Sequence, residues 1–281
     1  MSGATAKIIA DSINTWGNGI RIVTMQLRYP RFVHAEFMTH RMFSRNASSS
    51  RAIPVAKMIE QVRNDPAMPI HWGKNQPGMQ AREELDPATK GQVQLEWLRA
   101  ARAAADFAES MMEFGAHKQV VNRILEPFQF ISVVVTATEW DNFFELRDHE
   151  DADPNIAGLA RAMAVAMEAS KPVKRYALPE HVSEAWHLPY VTDEERSKYL
   201  LSVLVRLSTA RCARVSYLTH DNDVPLVAKD LELYDRLVAS RPLHASPTEH
   251  AAHALDHGHF VKNFRGWKQH RVDVENRTWT S

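Results

Sequence analysis

Ile20-Arg21-Ile22-Val23-Thr24-Met25-Gln26-Leu27-Arg28 alternates, with Val23, Met25 and Leu27 on one side and Thr24, Gln26 and Arg28 on the other. That period of two marks a half-buried strand, which Tyr29-Pro30 ends. From Arg31 the pattern reads as a helix to about Ser44, with Phe32, Val33, Phe37 and Phe43 apolar. Between positions 28 and 51, Arg28, Arg31, Arg41, Arg45 and Arg51 face only Glu36, although the whole chain balances 34 Lys+Arg against 34 Asp+Glu. Ser44, Ser48, Ser49 and Ser50 set hydroxyls beside these guanidiniums, a combination suited to charge-assisted bonds to phosphate. His40 and Asn46 add directional donors and acceptors. A serine-rich helix end with a solvated basic face would have the same composition.

Working outward, residues 64–87 are dense in Pro, Gly, Asn and Gln and read as a surface loop, of a length that often serves as a lid or binding segment. Helical spacing resumes at Gln92 and runs through Leu95, Leu98, Ala101, Ala105, Ala108 and Met112 to a stop at Gly115, and Ala116 to Leu125 continues helically. Phe130 to Thr136, with Val133-Val134-Val135, is a buried strand, Asp141 to Arg147 a short helix, and Pro154 opens another at its first turn. Residues 171–190, with Pro172, Pro179 and Pro189, connect two halves, 1–170 and 191–281, of one domain spanning 1–281. Helices are expected over Asp193–Ala213, Val224–Ala239 and Pro247–Leu255.

With 281 residues and 44% hydrophobic content the chain can bury a full core. No apolar run approaches the roughly 20 residues that span a bilayer, so a soluble, unexported, cytoplasmic protein without membrane partners is expected. The single cysteine, Cys212, excludes an intrachain disulfide and a multi-thiolate zinc site. Set among Ala210, Ala213 and Val215, it reads as a small buried residue. A pI near 7.3 argues against nucleic acid as a partner and leaves small anions open. His244, His250, His253, His257 and His259 form the densest histidine cluster, with His250 and His253 spaced to share a helical face. Their spacing matches no zinc signature, and a polar helix face is the expected reading, with no metal. Neither a Gly-x-Gly-x-x-Gly turn, a phosphate-loop Gly-Lys-Ser, nor a Gly-x-Ser-x-Gly elbow occurs. The residues alone therefore lead to an α+β protein with an arginine- and serine-lined site for a phosphorylated small molecule.

Thr39-His40-Arg41-Met42-Phe43-Ser44-Arg45-Asn46-Ala47-Ser48-Ser49-Ser50-Arg51-Ala52 resembles the flavin-dependent thymidylate synthase signature Arg-His-Arg-x-x-Ser-x-Asn-Glu-x-Ser-x-Arg-Tyr. It keeps His40, Arg41, Ser44, Asn46, Ser49 and Arg51. Met25 to Val33 resembles the approach to that signature, and Asn142-Phe143-Phe144-Glu145-Leu146-Arg147, with Ala152 to Ile156, is similar to a later block. Ala213-Arg214-Val215-Ser216-Tyr217 and Leu243 to His250 resemble blocks that precede the signature in the family, so the order looks circularly permuted. Permutation is tolerated where termini lie close.

The resemblance implies an α+β fold of that family, with an antiparallel or mixed sheet and long flanking helices, acting as a homotetramer. It implies FAD as cofactor, NADPH and methylenetetrahydrofolate as cosubstrates, and one-carbon transfer to C5 of dUMP. His40, Arg41, Asn46, Asn142, Ser216, His244 and Ser246 would then touch the flavin. Glu36, Ser44, Ser48, Ser49, Ser50, Arg51, Arg123 and Arg147 would hold substrate, with Arg51 and Arg147 closest to the chemistry. The signature Glu is Ala47, its Tyr Ala52 and its first Arg Thr39; a Gln preceding it is Glu36, and an Asn-x-Arg is missing near 136–140. An acceptor at Glu36 could favour cytosine's amino group, because a buried unpaired polar group is costly, so dCMP or a hydroxymethyl product is the alternative. A non-catalytic flavin- or nucleotide-binding homologue is the third reading.

Overall fold

The computed structural model describes residues 3–16, 19–215, 226–239 and 243–279. Its centre is a five-stranded sheet in the order β3-β4-β2-β1-β5: β1 Thr5–Asn14, β2 Ile20–Pro30, β3 Ser44–Ala47, β4 Phe130–Ala137 and β5 Val173–Arg175. Neighbours are antiparallel except β5, which runs parallel to β1, so the expected mixed sheet is present. β4 is rich in β-branched residues, whose stiff side chains pack well on a pleated surface.

The period of two in β2 decides the layering. Val23, Met25, Leu27 and Tyr29 point into a core shared with Val133 and Val135 of β4, Phe37, Phe143 and the helix Pro154–Ala169. The opposite face is covered as well: Ile20 and Ile22 pack on Ala252, Ala254, Phe264 and Trp267, while Val134 packs on Cys212 and Val215. The strand expected to be half-buried is thus sandwiched, and Thr24 is fully buried.

Six helices belong to the first half: α1 His34–Phe37, α2 Val55–Asn64, α3 Pro87–Glu113, α4 Lys118–Leu125, α5 Asp141–Arg147 and α6 Pro154–Ala169. α6 presents Ile156, Leu159, Ala160 and Met163 to the sheet, the spacing of one helical face. Burying Leu159 or Met163 contributes about 2 kcal/mol of transfer free energy each. Asp153 caps its first turn by accepting from the Asn155 amide at 2.8 Å. The long α3 begins earlier than its periodicity suggests, because Asp86 caps the Ala88 and Thr89 amides and Pro87 fits the first turn. Its alanine face, Ala101, Ala105 and Ala108, packs on Met58, Ile59 and Val62 of α2 and Val121 and Leu125 of α4.

The helix expected from Arg31 to Ser44 is a correction. A 3-10 turn, Arg31–Val33, leads into the single turn α1, and the chain then turns and returns as strand β3. Ser and Asn are weak helix formers that compete with backbone hydrogen bonds, whereas β4 offers an edge that β3 pairs from Ser44 opposite Thr136 to Ala47 opposite Val133. Arg45 secures the break, its Nη1 donating to the carbonyls of Met38 at 3.0 Å and His40 at 3.1 Å. Met38 O follows directly on the end of α1, where carbonyls lack an intrahelical partner, and His40 O accepts from the Phe43 amide as well.

The loop 64–87 is tied down rather than free. Trp97 Nε1 donates to Ala67 O at 3.0 Å, the Ile70 amide to Asn155 Oδ1 at 3.0 Å, and Gly73 bridges Glu84. It lies against α3 and α6, and none of its residues lines the cavity beside His40 described below.

The second half holds β6 Trp186–His187, β7 Ala252–Ala254, β8 Phe260–Val261, β9 Phe264–Arg265 and β10 Trp267–Gln269. With them are α7 Asp193–Lys198, α8 Leu201–Arg214, α9 Val227–Tyr234 and α10 His270–Trp279. The helix expected over Asp193–Ala213 is broken between α7 and α8 at Tyr199 and Leu200; of the helix expected over Val224–Ala239, positions 224 and 225 lie outside the described residues, α9 begins at Val227, and a π-turn, Asp235–Ala239, follows it. No helix spans Pro247–Leu255: a 3-10 turn, Ser246–Glu249, leads into β7, which pairs with β10 and β6. His250 and His253 therefore share no helical face. No helix among the described residues is long and apolar enough to cross a membrane.

Candidate active site

Burial of Phe143 in the core fixes α5 so that Asn142 and Leu146 line a cavity of about 340 Å³, whose other walls include Thr39, His40, Arg41 and Phe43. Arg147, one turn beyond Phe143, reaches back to the α1 segment. Its Nε donates to His40 Nε2 at 3.0 Å, its Nη2 to Thr39 Oγ1 at 3.2 Å, and its Nη1 pairs with Glu36 Oε2 at 3.1 Å. A guanidinium can only donate, so His40 Nε2 is an acceptor and the neutral ring carries its proton on Nδ1. Burial first, then Arg147 and Arg45, pushes His40 down to about 4, so it is neutral at pH 7. The ring stacks on Phe43 at 5.8 Å and meets Phe143 edge-on at 4.9 Å. Burial and nearby Asp153 raise the Glu36 carboxyl, against the opposing pull of Arg147.

Thus Glu36, His40, Arg41, Asn142 and Arg147 come together, as does Thr39, which the sequence marked only as a departure from the signature. Arg51 stands apart from them along the chain: β3 lies between it and His40, four residues of strand or roughly 13 Å. The Ser49–Arg51 turn is held from beneath by Asn122, fully buried, whose Nδ2 donates to Ser50 O at 2.7 Å and Ile53 O at 3.0 Å. Lys118 Nζ reaches Ala52 O at 3.1 Å. Arg123, next to Asn122 on α4, pairs with Glu126 at 2.9 Å.

The serines divide. Ser44 is buried and its Oγ accepts from Asn263 and Gln269, both at 3.0 Å. Ser48 is buried and accepts from the Ser132 amide at 3.1 Å, and Ser50 is buried too. These side chains face the protein because alternate residues of an edge strand and the turn beyond it point inward. Ser49 Oγ caps the Arg51 amide at 3.3 Å, leaving the Arg51 guanidinium exposed.

From the other half, the Ser246–Glu249 turn packs on β3, bringing His244 and Ser246, both exposed, to the neighbourhood of Asn46. Asn46 is buried and its Nδ2 has no partner among the described residues, a donor that could meet a ligand acceptor. Ser216 lies outside the described residues. Cys212 is fully buried and burial pushes its thiol up, so it is no nucleophile.

A feature the sequence did not signal runs through the interior. Ser12 Oγ meets His187 Nδ1 at 2.9 Å, His187 Nε2 meets Thr24 Oγ1 at 2.8 Å, Thr24 meets Thr136 Oγ1 at 2.7 Å, and Thr136 meets His250 Nδ1 at 2.8 Å. Thr24 and Thr136 are opposite one another in register, so one threonine pair on the rear face of the sheet joins histidines from two distant segments.

The family model for thymidylate synthase complementing protein matches residues 21–173. No curated protein sequence matches the chain. Among solved structures, the chain is similar to a UMP/dUMP methylase, PolB from Streptomyces cacaoi, bound with 5-Br UMP, at 16% identity and a TM-score of 0.48 over 59% of this chain and 89% of that one. The same enzyme bound with 5-Br dUMP matches at 15% identity and a TM-score of 0.48, over 59% of this chain and 90% of that one.

Proposed function

The chain belongs to the thymidylate synthase complementing protein family, whose theme is C5 methylation of pyrimidine nucleotides; from that premise we propose a flavin-dependent thymidylate synthase-type enzyme. It transfers a one-carbon unit from methylenetetrahydrofolate to C5 of a pyrimidine deoxynucleotide monophosphate, dUMP in the first instance, with NADPH as reductant. The observation that carries the reading is the Arg147, His40 and Glu36 cluster beside the cavity, inside the matched residues and on the signature spacing.

The residues present fit a flavin. The cavity combines apolar walls at Phe43, Phe143 and Leu146 with polar Arg41 and Asn142, and the unpartnered Asn46 amide nearby suits a carbonyl or phosphate oxygen. FAD, when bound, supplies the reducing equivalents for the transferred carbon. The chain's own groups bind and orient: Arg147 holds His40 neutral with its Nδ1 proton available to donate, and Arg51 with Ser49 offers charge to a phosphate. A homotetramer, which the resemblance to the family implies, is part of the proposal.

Glu36 favours a second reading. Its carboxylate only accepts, which suits the amino group of cytosine as well as the ring N–H of uracil, so a dCMP or dUMP hydroxymethylase or methylase on the same scaffold is the alternative. Incubation with dUMP or dCMP, methylenetetrahydrofolate and NADPH, followed by mass analysis of the nucleotide, separates the two. Purified protein should be yellow with a flavin spectrum. Colourless protein that takes up no added FAD and converts neither nucleotide would sink the enzymatic reading and leave a nucleotide-binding homologue.

A further inference from the structure

A larger cavity, about 710 Å³, lies wholly outside the residues matched to the family, between β6, α8, α9 and α10. A row of rings lines it. Trp186 meets His270 edge-on at 6.4 Å, and His270 stacks on Tyr234 at 6.1 Å with its Nε2 bonded to the Tyr234 hydroxyl at 2.9 Å. Tyr234 also carries the Arg206 guanidinium over its face at 5.2 Å. Arg206 is anchored by Asp235 at 2.6 Å, and its Nε is buried without a partner. Beside Trp186, whose Nε1 donates to Glu180 O at 2.8 Å, the carboxyls of Glu180 and Asp273 gather on Lys268 at 2.9 and 2.8 Å.

Aromatic walls, two carboxylates gathered on Lys268 with Asp273 4.0 Å from His270 Nδ1, and a cation against Tyr234 form a recognisable set. Flat rings stack on aromatic faces, carboxylates accept paired N–H donors, and guanidiniums bind carboxylate or phosphate. We propose that this cavity is a second small-molecule site, taking a planar amino-heteroaromatic ring with an anionic tail, its amino and ring N–H edge on Glu180 and Asp273 and its tail on Arg206. Burial raises Asp273, while hydrogen bonds from Lys268 and Asp273 hold Glu180 below the ordinary carboxylate range despite its own burial, which keeps Glu180 an acceptor.

Two ligand sources share this chemistry, a guanine nucleotide and a pteridine with a carboxylate tail, and the test uses GMP and folic acid as probes. Binding to the full chain is measured by calorimetry and by quenching of tryptophan fluorescence, with inosine monophosphate as the control lacking the amino group. Saturable binding of either probe is expected, and GMP, where it binds, should bind at least tenfold more tightly than the control. Asp273→Asn and Arg206→Ala should each weaken the bound probe tenfold or more, while Arg147→Ala, at the other cavity, leaves it unchanged. Thermal melts establish that each variant is folded, and Trp186→Phe, which keeps the ring but changes the emission, reports whether the probe sits at that wall. Failure of both probes to bind at millimolar concentration overturns the proposal. So does binding that survives both Asp273→Asn and Arg206→Ala, or that is lost in Arg147→Ala. Binding lost in Arg147→Ala would assign the probe to the His40 cavity instead, and that cavity's own function is scored separately, by flavin content and nucleotide products.

Discussion

Acid should unfold this protein through its interior before its surface carboxylates are neutralised. His250 is fully buried, bonds Thr136 through Nδ1, and has no partner at Nε2 among the described residues. Burial lowers it from 6.5 to about 3. The unfolded chain therefore binds a proton that the folded chain refuses between those two values, and stability falls as pH falls through that window. At pH 5 the gap from the unfolded value is about 1.5 units, worth about 2 kcal/mol at 1.36 kcal/mol per unit. His187 acts in the same direction: burial first, then Arg175, Arg196 and His250, lowers it well below its usual value. Against a typical total of about 5–15 kcal/mol, the loss is large. Urea midpoints at pH 7 and pH 5 should show it. His250→Gln, which cannot titrate, should start less stable at pH 7 by about 1–3 kcal/mol for the disturbed hydrogen bond, yet lose about 2 kcal/mol less than the parent on going to pH 5. Equal losses in the two proteins, or a His250 resonance titrating near 6.5, would refute the reasoning.

Arg147→Ala removes both a charge and a donor that keep His40 neutral, so His40 should titrate above its present value of about 4; an unmoved NMR titration would separate Arg147 from the site. Asp230 is fully buried and neutralises Arg211 at 2.9 Å and Arg214 at 2.6 Å, linking α8 to α9. Arg211 also pairs with Glu195 at 2.5 Å, so Asp230→Ala leaves it a partner and should cost about 1–3 kcal/mol in denaturant unfolding through the unsatisfied Nε and the lost tie to Arg214, and no measurable cost would show that the pair is not what fixes those helices. Asn122→Ala removes the buried donor to the carbonyls of Ser50 and Ile53 and should cost about 1–3 kcal/mol. It should also weaken nucleotide binding through Arg51 while flavin content stays as it was.

Local chemistry fixed much of the first half. Alternation in β2, the β-branched run in β4, the alanine face of α3 and the proline at the start of α6 each select one backbone state by sterics and side-chain burial within a few residues, and all are present. His40, Arg41, Asn142 and Arg147 could be named because the family signature and a later family block resemble the segments that carry them, not because spacing implied contact. The tertiary structure decided what no local pattern encodes. Ser44–Ala47 became a strand because β4 had an edge to pair, and Ser246–Glu249 and β7 displaced an expected helix because β6 and β10 flank that segment. Thr24, a polar residue on an apparently exposed face, is buried beside Thr136 because the second half covers the rear of the sheet. That covering layer and the hydrogen-bonded chain from Ser12 to His250 depend on contacts between residues more than a hundred positions apart. Sequence periodicity reports only which residues share a face, and it takes the folded chain to say what that face meets.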